Sequence, residues 1–279
     1  MGFDFQFAQT AKTMISLPKS VVFITGTFLG NNCWDQWKSY FESNGYRCIA
    51  PAWPHKNASP EELRNEPANH GMTSNRLVAL TDYFGTIVNT LPRPIIIGHS
   101  LGGLIVQLLI QRGLGSAGIA VHSFPPAGVN TFQFSFIKAV WEAMAFFTSA
   151  QKTYLMSFRK WKQSVANGMS CEQQKELYYK YATPESKRII RDAFRCNAKI
   201  NFKNPGIPLL FTSGGRDRII PSELNFINYK RYKIGNTITS YKNFREHGHL
   251  IFDSPVWMEE AGFVLNWLES MKYLKTIKP

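Results

Sequence analysis

One serine in this chain is framed for chemistry. Gly98-His99-Ser100-Leu101-Gly102 lies between the β-branched run Ile95-Ile96-Ile97 and an apolar stretch beginning at Leu101. A strand that passes straight into a helix forces the residue at the apex into a strained turn and projects its side chain away from the sheet. A Cβ at Gly98 or Gly102 would crowd that turn. The amides and dipole of the new helix favour negative charge beside the serine. Ser100 therefore reads as a nucleophile. The glycines do not follow the phosphate-loop pattern Gly-x-x-x-x-Gly-Lys-Ser/Thr or the dinucleotide pattern Gly-x-Gly-x-x-Gly.

A serine hydroxyl needs a base to take its proton, and the base needs a carboxylate to fix its tautomer. With this kind of turn, the chain order is serine, acid, histidine. His55 and His70 precede Ser100, and His99 adjoins it on a turn that directs its ring elsewhere. His247 and His249 follow the last expected strand in Arg245-Glu246-His247-Gly248-His249-Leu250. His249 is the preferred base, because a Gly-His step followed by apolar residues can bring the ring over the serine. Asp217 is the acid, in Gly214-Gly215-Arg216-Asp217, a glycine turn at the C-terminal end of a strand. The competing structural role for Asp217 is pairing with Arg216 or Arg218, or capping the next helix. An oxyanion needs two backbone N–H donors. Leu101 supplies one, and the loop after the first strand supplies the other, from Thr27 or alternatively Phe28, with Thr27 preferred. His99, His122 and Phe28 are candidates to line a substrate pocket.

These residues need a frame of strands and helices. Val21–Thr25, Tyr46–Ala50, Ile95–Ile97, Ala117–Val121, Ile207–Thr212 and Thr237–Tyr241 read as strands. Helical patterns run from Trp34 to Ser43, from a cap at Thr73 or Ser74 to about Leu91, and from Val256 to Met271. This alternation predicts an α/β fold with a doubly wound, mostly parallel sheet. From Asn130 to Asn204 strand signals disappear and aromatic helical stretches take over, such as Phe136–Phe147 and Cys171–Tyr181. The expected organisation is a core of 1–129 and 205–279, with a helical cap inserted at 130–204. Such folds bind ligands at the C-terminal edge of the sheet.

Composition narrows the setting. The formal charge is +13, and 13 Lys/Arg against 5 Asp/Glu fall between Asn130 and Asn204. Solvated helix faces account for such a surplus; attraction of an anionic substrate is the sharper alternative. Basic residues scattered without a recognised module give no reason to expect a nucleic-acid partner, and a membrane surface is not expected either. No stretch reaches the ~20 apolar residues that span a bilayer. Cys33, Cys48, Cys171 and Cys196 lack metal-site spacing and read as reduced, buried thiols. With no signal-peptide pattern at the N-terminus, the expected location is cytoplasmic. Oligomeric state is not encoded in any visible pattern.

Thr25-Gly26-Thr27, Gly98-His99-Ser100-Leu101-Gly102-Gly103, Gly214 to Pro221 and Gly248-His249 together resemble the α/β-hydrolase fold superfamily. More narrowly, the chain looks like bacterial single-domain hydrolases grouped with esterases, perhydrolases and C–C-bond hydrolases. The resemblance implies a lid of helices between the sixth and seventh core strands, where 130–204 falls. One departure is Thr25, where the family commonly has a histidine. The implied activity is carboxylesterase-like hydrolysis of an apolar small molecule by a Ser-His-Asp triad, with no cofactor and no metal. Alternatives on the same triad are a C–C hydrolase, thioesterase, amidase or perhydrolase; outside catalysis, the alternative is a small-molecule binder.

Overall fold

Six parallel strands, in the spatial order Arg47–Ile49, Ser20–Ile24, Ile95–His99, Ala117–Val121, Leu209–Gly214 and Thr239–Phe244, form the sheet that carries the site. In this computed structural model the residues described are 20–66, 70–129, 152–193, 198–202, 206–232 and 239–277. The strands are β1 (Ser20–Ile24), β2 (Arg47–Ile49), β3 (Ile95–His99), β4 (Ala117–Val121), β7 (Leu209–Gly214) and β8 (Thr239–Phe244). Every residue of β3, β4 and β7 is buried. Helices on both faces of a parallel sheet exclude water from its central strands, which explains their continuous apolar runs. The edge strands β2 and β8 are only partly buried.

The helices of the core are α1 (Asp35–Ser43), α2 (Pro60–Asn65), α3 (His70–Thr73), α4 (Leu77–Asn89), α5 (Leu101–Gln111), α9 (Ser222–Tyr232) and α10 (Trp257–Ile277). Asn31–Trp34 forms a 3₁₀ turn before α1. The expected start of the fourth helix at Thr73 or Ser74 is corrected: Thr73 ends α3, and α4 begins at Leu77. Its N-cap, Arg76, offers no side-chain cap. Instead Asp192, far along the chain, accepts from the Leu77 amide at 3.2 Å and holds Arg76 in a two-pronged pair at 2.6 and 2.7 Å. A carboxylate at a helix N-terminus satisfies an orphan amide and the dipole together, whatever its sequence distance.

Between β4 and β7 lie α6 (Phe158–Ser164), α7 (Cys171–Tyr181) and α8 (Lys187–Ala193). Ser157 caps α6, and a Ser170/Gln173 capping box opens α7. Strand signals are absent from the sequence here, yet Thr153–Tyr154 (β5) and Glu185–Ser186 (β6) pair antiparallel. Two residues per strand are too few to leave a periodic trace. The expected Phe136–Phe147 helix lies outside the described residues. Of the cysteines expected to be buried, Cys33 and Cys48 are so, whereas Cys171 is exposed at the start of α7; all three are free thiols. Among the described residues, no helix is long and apolar enough to cross a membrane.

Candidate active site

The candidate residues fall at one edge of the sheet, at or just beyond the C-terminal ends of parallel strands. Thr27 and Phe28 follow β1, Ser100 follows β3, His122 follows β4, Asp217 follows β7 and His249 follows β8. Parallel strands guarantee this grouping, because every strand points its C-terminus the same way.

Ser100 has φ 55° and ψ −119° and serves as the N-cap of α5. Its amide donates to Val121 O at 2.9 Å and its carbonyl accepts from Phe124 N at 2.9 Å, so the turn is tied to the neighbouring strand β4. A Cβ at Gly98 would stand 2.2 Å from Gly102 O, and one at Gly102 would stand 2.2 Å from Ile24 O. The elbow thus requires both glycines because α5 runs against β1 and β3 with no side chain between. Leu101, the first residue of α5, puts its amide beside the serine.

Asp217 joins two parts of the site. Its Oδ1 accepts from the amides of Ile219 and Ile220, both at 2.8 Å, and its Oδ2 lies 2.7 Å from His249 Nδ1. One oxygen thus shapes the turn before the next helix, which begins only at Ser222, and the other meets His249; Asp217 does not cap that helix. Pairing with the neighbouring arginine is not what engages it, since Arg216 pairs with Glu246 on the surface. Burial opposes ionisation of Asp217, but the His249 and His122 charges and their hydrogen bonds outweigh it and hold the carboxyl well below its ordinary range.

His247 and His249 separate cleanly. The His249 ring turns to Asp217, while His247 Nδ1 and Nε2 lie 3.1 Å from Glu260 and Glu259 respectively. His99 Nε2 lies 2.9 Å from the carbonyl of His249, which can only accept, so His99 donates from that nitrogen. That bond fastens the nucleophile turn to the His249 loop, and the two rings lie 4.7 Å apart between centroids. Burial first, then the neighbouring His249 and His122, holds His99 well below the ordinary imidazole range, so it is neutral.

His122, which the sequence offered as a pocket residue, is fully buried with Nδ1 3.4 Å from Asp217 Oδ2 and Nε2 3.4 Å from Glu260 Oε2. His99 is also fully buried. Phe28, the third such candidate, is buried with φ 66° and stacks edge-on with Tyr154 of the inserted segment at 5.8 Å. Its amide lies 3.4 Å from Glu185 Oε2, whereas Thr27 is partly exposed. Ligand-type atoms of His122, Asp217 and His249, and of His122, His247 and Glu260, gather within 4.8 Å of one another. Within them His249 is hydrogen-bonded to Asp217 and His247 to Glu260, while His122 stands 3.4 Å from both acids.

Glu185, Lys56 and Glu260 escaped the sequence reading. Glu260 left one trace: an acid in line with Val264 and Leu268, the core-facing stripe of the last helix. Lys56 and Glu185 left none, because they meet only through the fold.

A model of the alpha/beta hydrolase family matches residues 21–261. Among solved structures, a monoacylglycerol lipase from Paleococcus ferrophilus is 19% identical with a TM-score of 0.67, covering 91% of this chain and 96% of its own. An extracellular α/β-hydrolase from a Paenibacillus species is 17% identical with a TM-score of 0.65, covering 87% and 96%. A methylesterase from Arabidopsis is 15% identical with a TM-score of 0.62, covering 90% and 98%. These likenesses are of fold. No curated protein matches the sequence closely enough to count as a relative.

Proposed function

This chain belongs to the alpha/beta hydrolase family, and on that premise we propose that it is a serine hydrolase cleaving a carboxylic ester through an acyl-enzyme on Ser100. The carrying observation is the 2.7 Å contact of His249 Nδ1 with Asp217 Oδ2, beside a serine at φ 55° on the strand-to-helix turn. Asp217 fixes Nδ1 of His249 as the protonated nitrogen, which leaves Nε2 free to accept. His249 Nε2 takes the Ser100 Oγ proton as Oγ attacks the ester carbonyl, and the oxygen gains the negative charge. His249 then returns that proton to the departing alkoxide. Water enters by the reverse sequence and releases the acid. The amides of Leu101 and Thr27 are the oxyanion donors in this reading. Engagement of the Phe28 amide by Glu185 favours Thr27 over Phe28.

Phe28, on the loop that carries the oxyanion amides, meets Tyr154 edge to face, and such aromatic side chains suit an apolar acyl or alcohol group. The esterase and lipase activities in the names of the similar structures accord with this choice of bond. The experiment is a Ser100→Ala variant assayed with short aryl esters and labelled with a fluorophosphonate. Hydrolysis and labelling should both disappear. Labelling that persists in the variant would overturn the assignment.

A further inference from the structure

We propose that His122 is a positioning residue for the triad, clamped as an imidazolium between the buried carboxylates of Asp217 and Glu260 so that Asp217 stays ionised and aimed at His249. The inference rests on the triad reading above and adds a second pair of residues to it.

Four observations carry it. Both ring nitrogens of His122 lie 3.4 Å from carboxylate oxygens, Nδ1 from Asp217 and Nε2 from Glu260, in ion-pair contacts without hydrogen-bond geometry. A bare nitrogen lone pair beside an anion is repulsive, so the doubly protonated ring is the form that suits both sides. His122 is fully buried and adopts φ 44°, a conformation a non-glycine residue keeps only when its surroundings enforce it. Gly214, at the end of β7, makes room for the ring: a Cβ there would approach His122 Cε1 to 2.7 Å. Finally, the acid that completes the clamp, Glu260, is itself fully buried on α10.

The electrostatics follow from counting charges. Without His122, Asp217 and Glu260 would be two buried carboxylates near each other, and one would be driven to the neutral form. With His122 charged, the row His249–Asp217–His122–Glu260 alternates in sign when His249 accepts the serine proton. The groups that face His122 are Asp217 beyond β7, Glu260 on α10, His249 and His247 beyond β8 and His99 on β3; the His249 and His99 ring centroids are 6.4 and 6.2 Å away, and His247, also bonded to Glu260, comes within 4.8 Å. Burial pushes His122 down, but the nearby Glu260 and Asp217 charges raise it to about 10. Burial likewise opposes the charge on Glu260, yet the His122 charge beside it, with the bond from His247, keeps that carboxyl well below its ordinary range. His122 and Glu260 touch no reacting atom; they act through Asp217.

Two measurements test this on the full chain. Proton-coupled ¹⁵N spectra of ¹⁵N-histidine-labelled protein at pH 8 should show His122 with both nitrogens protonated, assigned by loss of the signal in His122→Gln. In Glu260→Gln the ring should lose its charge at that pH. The kcat for an aryl ester should fall by about tenfold in either variant while KM holds, because Asp217 loses the cation that keeps it ionised and aimed at His249. Since His122→Gln leaves buried Glu260 with His247 but without its second cation, a His122→Asn/Glu260→Gln double variant restores charge balance and should show the same fall in kcat. A neutral His122 in the wild type, or a kcat that stays at the wild-type level in folded variants, overturns the proposal. Failure of the hydrolase reading itself would show separately, as activity and labelling that survive Ser100→Ala.

Discussion

The amide of Phe28, on the loop after β1, points at Glu185 Oε2, 3.4 Å away and 157 residues further along the chain. Around that contact the inserted segment joins the loop as if it were an extra strand. Leu29 bridges Ala182 in antiparallel fashion, Gly30 N donates to Tyr181 O at 2.9 Å and Thr183 N donates to Phe28 O at 3.0 Å. Glu185 is in turn held by Lys56 Nζ at 3.0 Å, which also donates to Leu29 O at 3.2 Å. This part of the insertion is therefore built into the loop that carries the Thr27 and Phe28 amides. Any opening of the site has to hinge elsewhere, or break these backbone bonds.

The Lys56–Glu185 pair is buried on both sides, so removing one partner strands the other's charge. Lys56→Ala should destabilise the protein by about 3–5 kcal/mol, the usual result of breaking a buried pair. Lys56→Met/Glu185→Leu, which removes both charges, should recover most of that loss. Thermal or urea unfolding of the two variants decides the matter. Equal instability of the single and the double variant would count against a charge effect.

The site was more legible than the cap for a physical reason. Ser100, Asp217 and His249 stand at the ends of strands, and strands, glycine turns and chain order all leave local signals. Asp217 was found because Gly214-Gly215 marks the turn on which it stands. The features that escaped are non-local. Asp192 capping α4, Glu185 under the Phe28 amide and Glu260 behind His122 each act on residues from which the chain separates them by 115, 157 and, for His122, most of the second half of the sequence. No window of sequence contains both partners. His122 itself was noticed as the end of a strand, but its neighbours Asp217 and Glu260 come from two other elements.

At the elbow, the two glycines make a steric prediction. A Cβ on residue 98 would lie 2.2 Å from Gly102 O and 2.4 Å from Gly102 C, both backbone atoms that cannot move without shifting α5. Gly98→Ala should cost at least about 2 kcal/mol, as overpacking in a dense interior does, and should move Ser100 off its turn. The expected outcome is a lower melting temperature together with a slower rate of fluorophosphonate labelling. Unchanged labelling would mean that α5 accommodates the methyl group.

Stability should vary with pH in a direction set by the buried charges. His122 is raised to about 10 in the folded protein, from an ordinary value near 6.5. A raised folded value contributes stability that is complete below the ordinary value and is lost as pH climbs through about 10. Asp217 and Glu260 are shifted the other way, so their contribution is complete above the ordinary carboxylate range and is lost as pH falls below it. The melting temperature should therefore be flattest between the carboxylate range and about pH 6, fall as pH rises from there through about 10, and fall again in acid. Glu260→Gln removes the anion that raises His122, so the alkaline fall should be smaller and end at lower pH. Melting curves across the alkaline range test this; an unmoved alkaline flank would separate His122 from it.

Asp217 offers the sharpest division between folding and chemistry. In Asp217→Asn the side-chain oxygen can still accept from the Ile219 and Ile220 amides, the two 2.8 Å bonds that shape the turn. The new amide nitrogen would then face His249 Nδ1 where Oδ2 now accepts at 2.7 Å. A donor at that point favours the tautomer with Nδ1 bare and Nε2 protonated, and such a histidine cannot take the serine proton. Ester hydrolysis at neutral pH should fall by about 10³–10⁴-fold in kcat, with KM little changed, as expected when only the tautomer is wrong. The folded state should lose far less, since the turn keeps its bonds. Steady-state kinetics beside a thermal melt measure both effects, and a loss of activity below tenfold would leave His249 without Asp217 as its orienting partner.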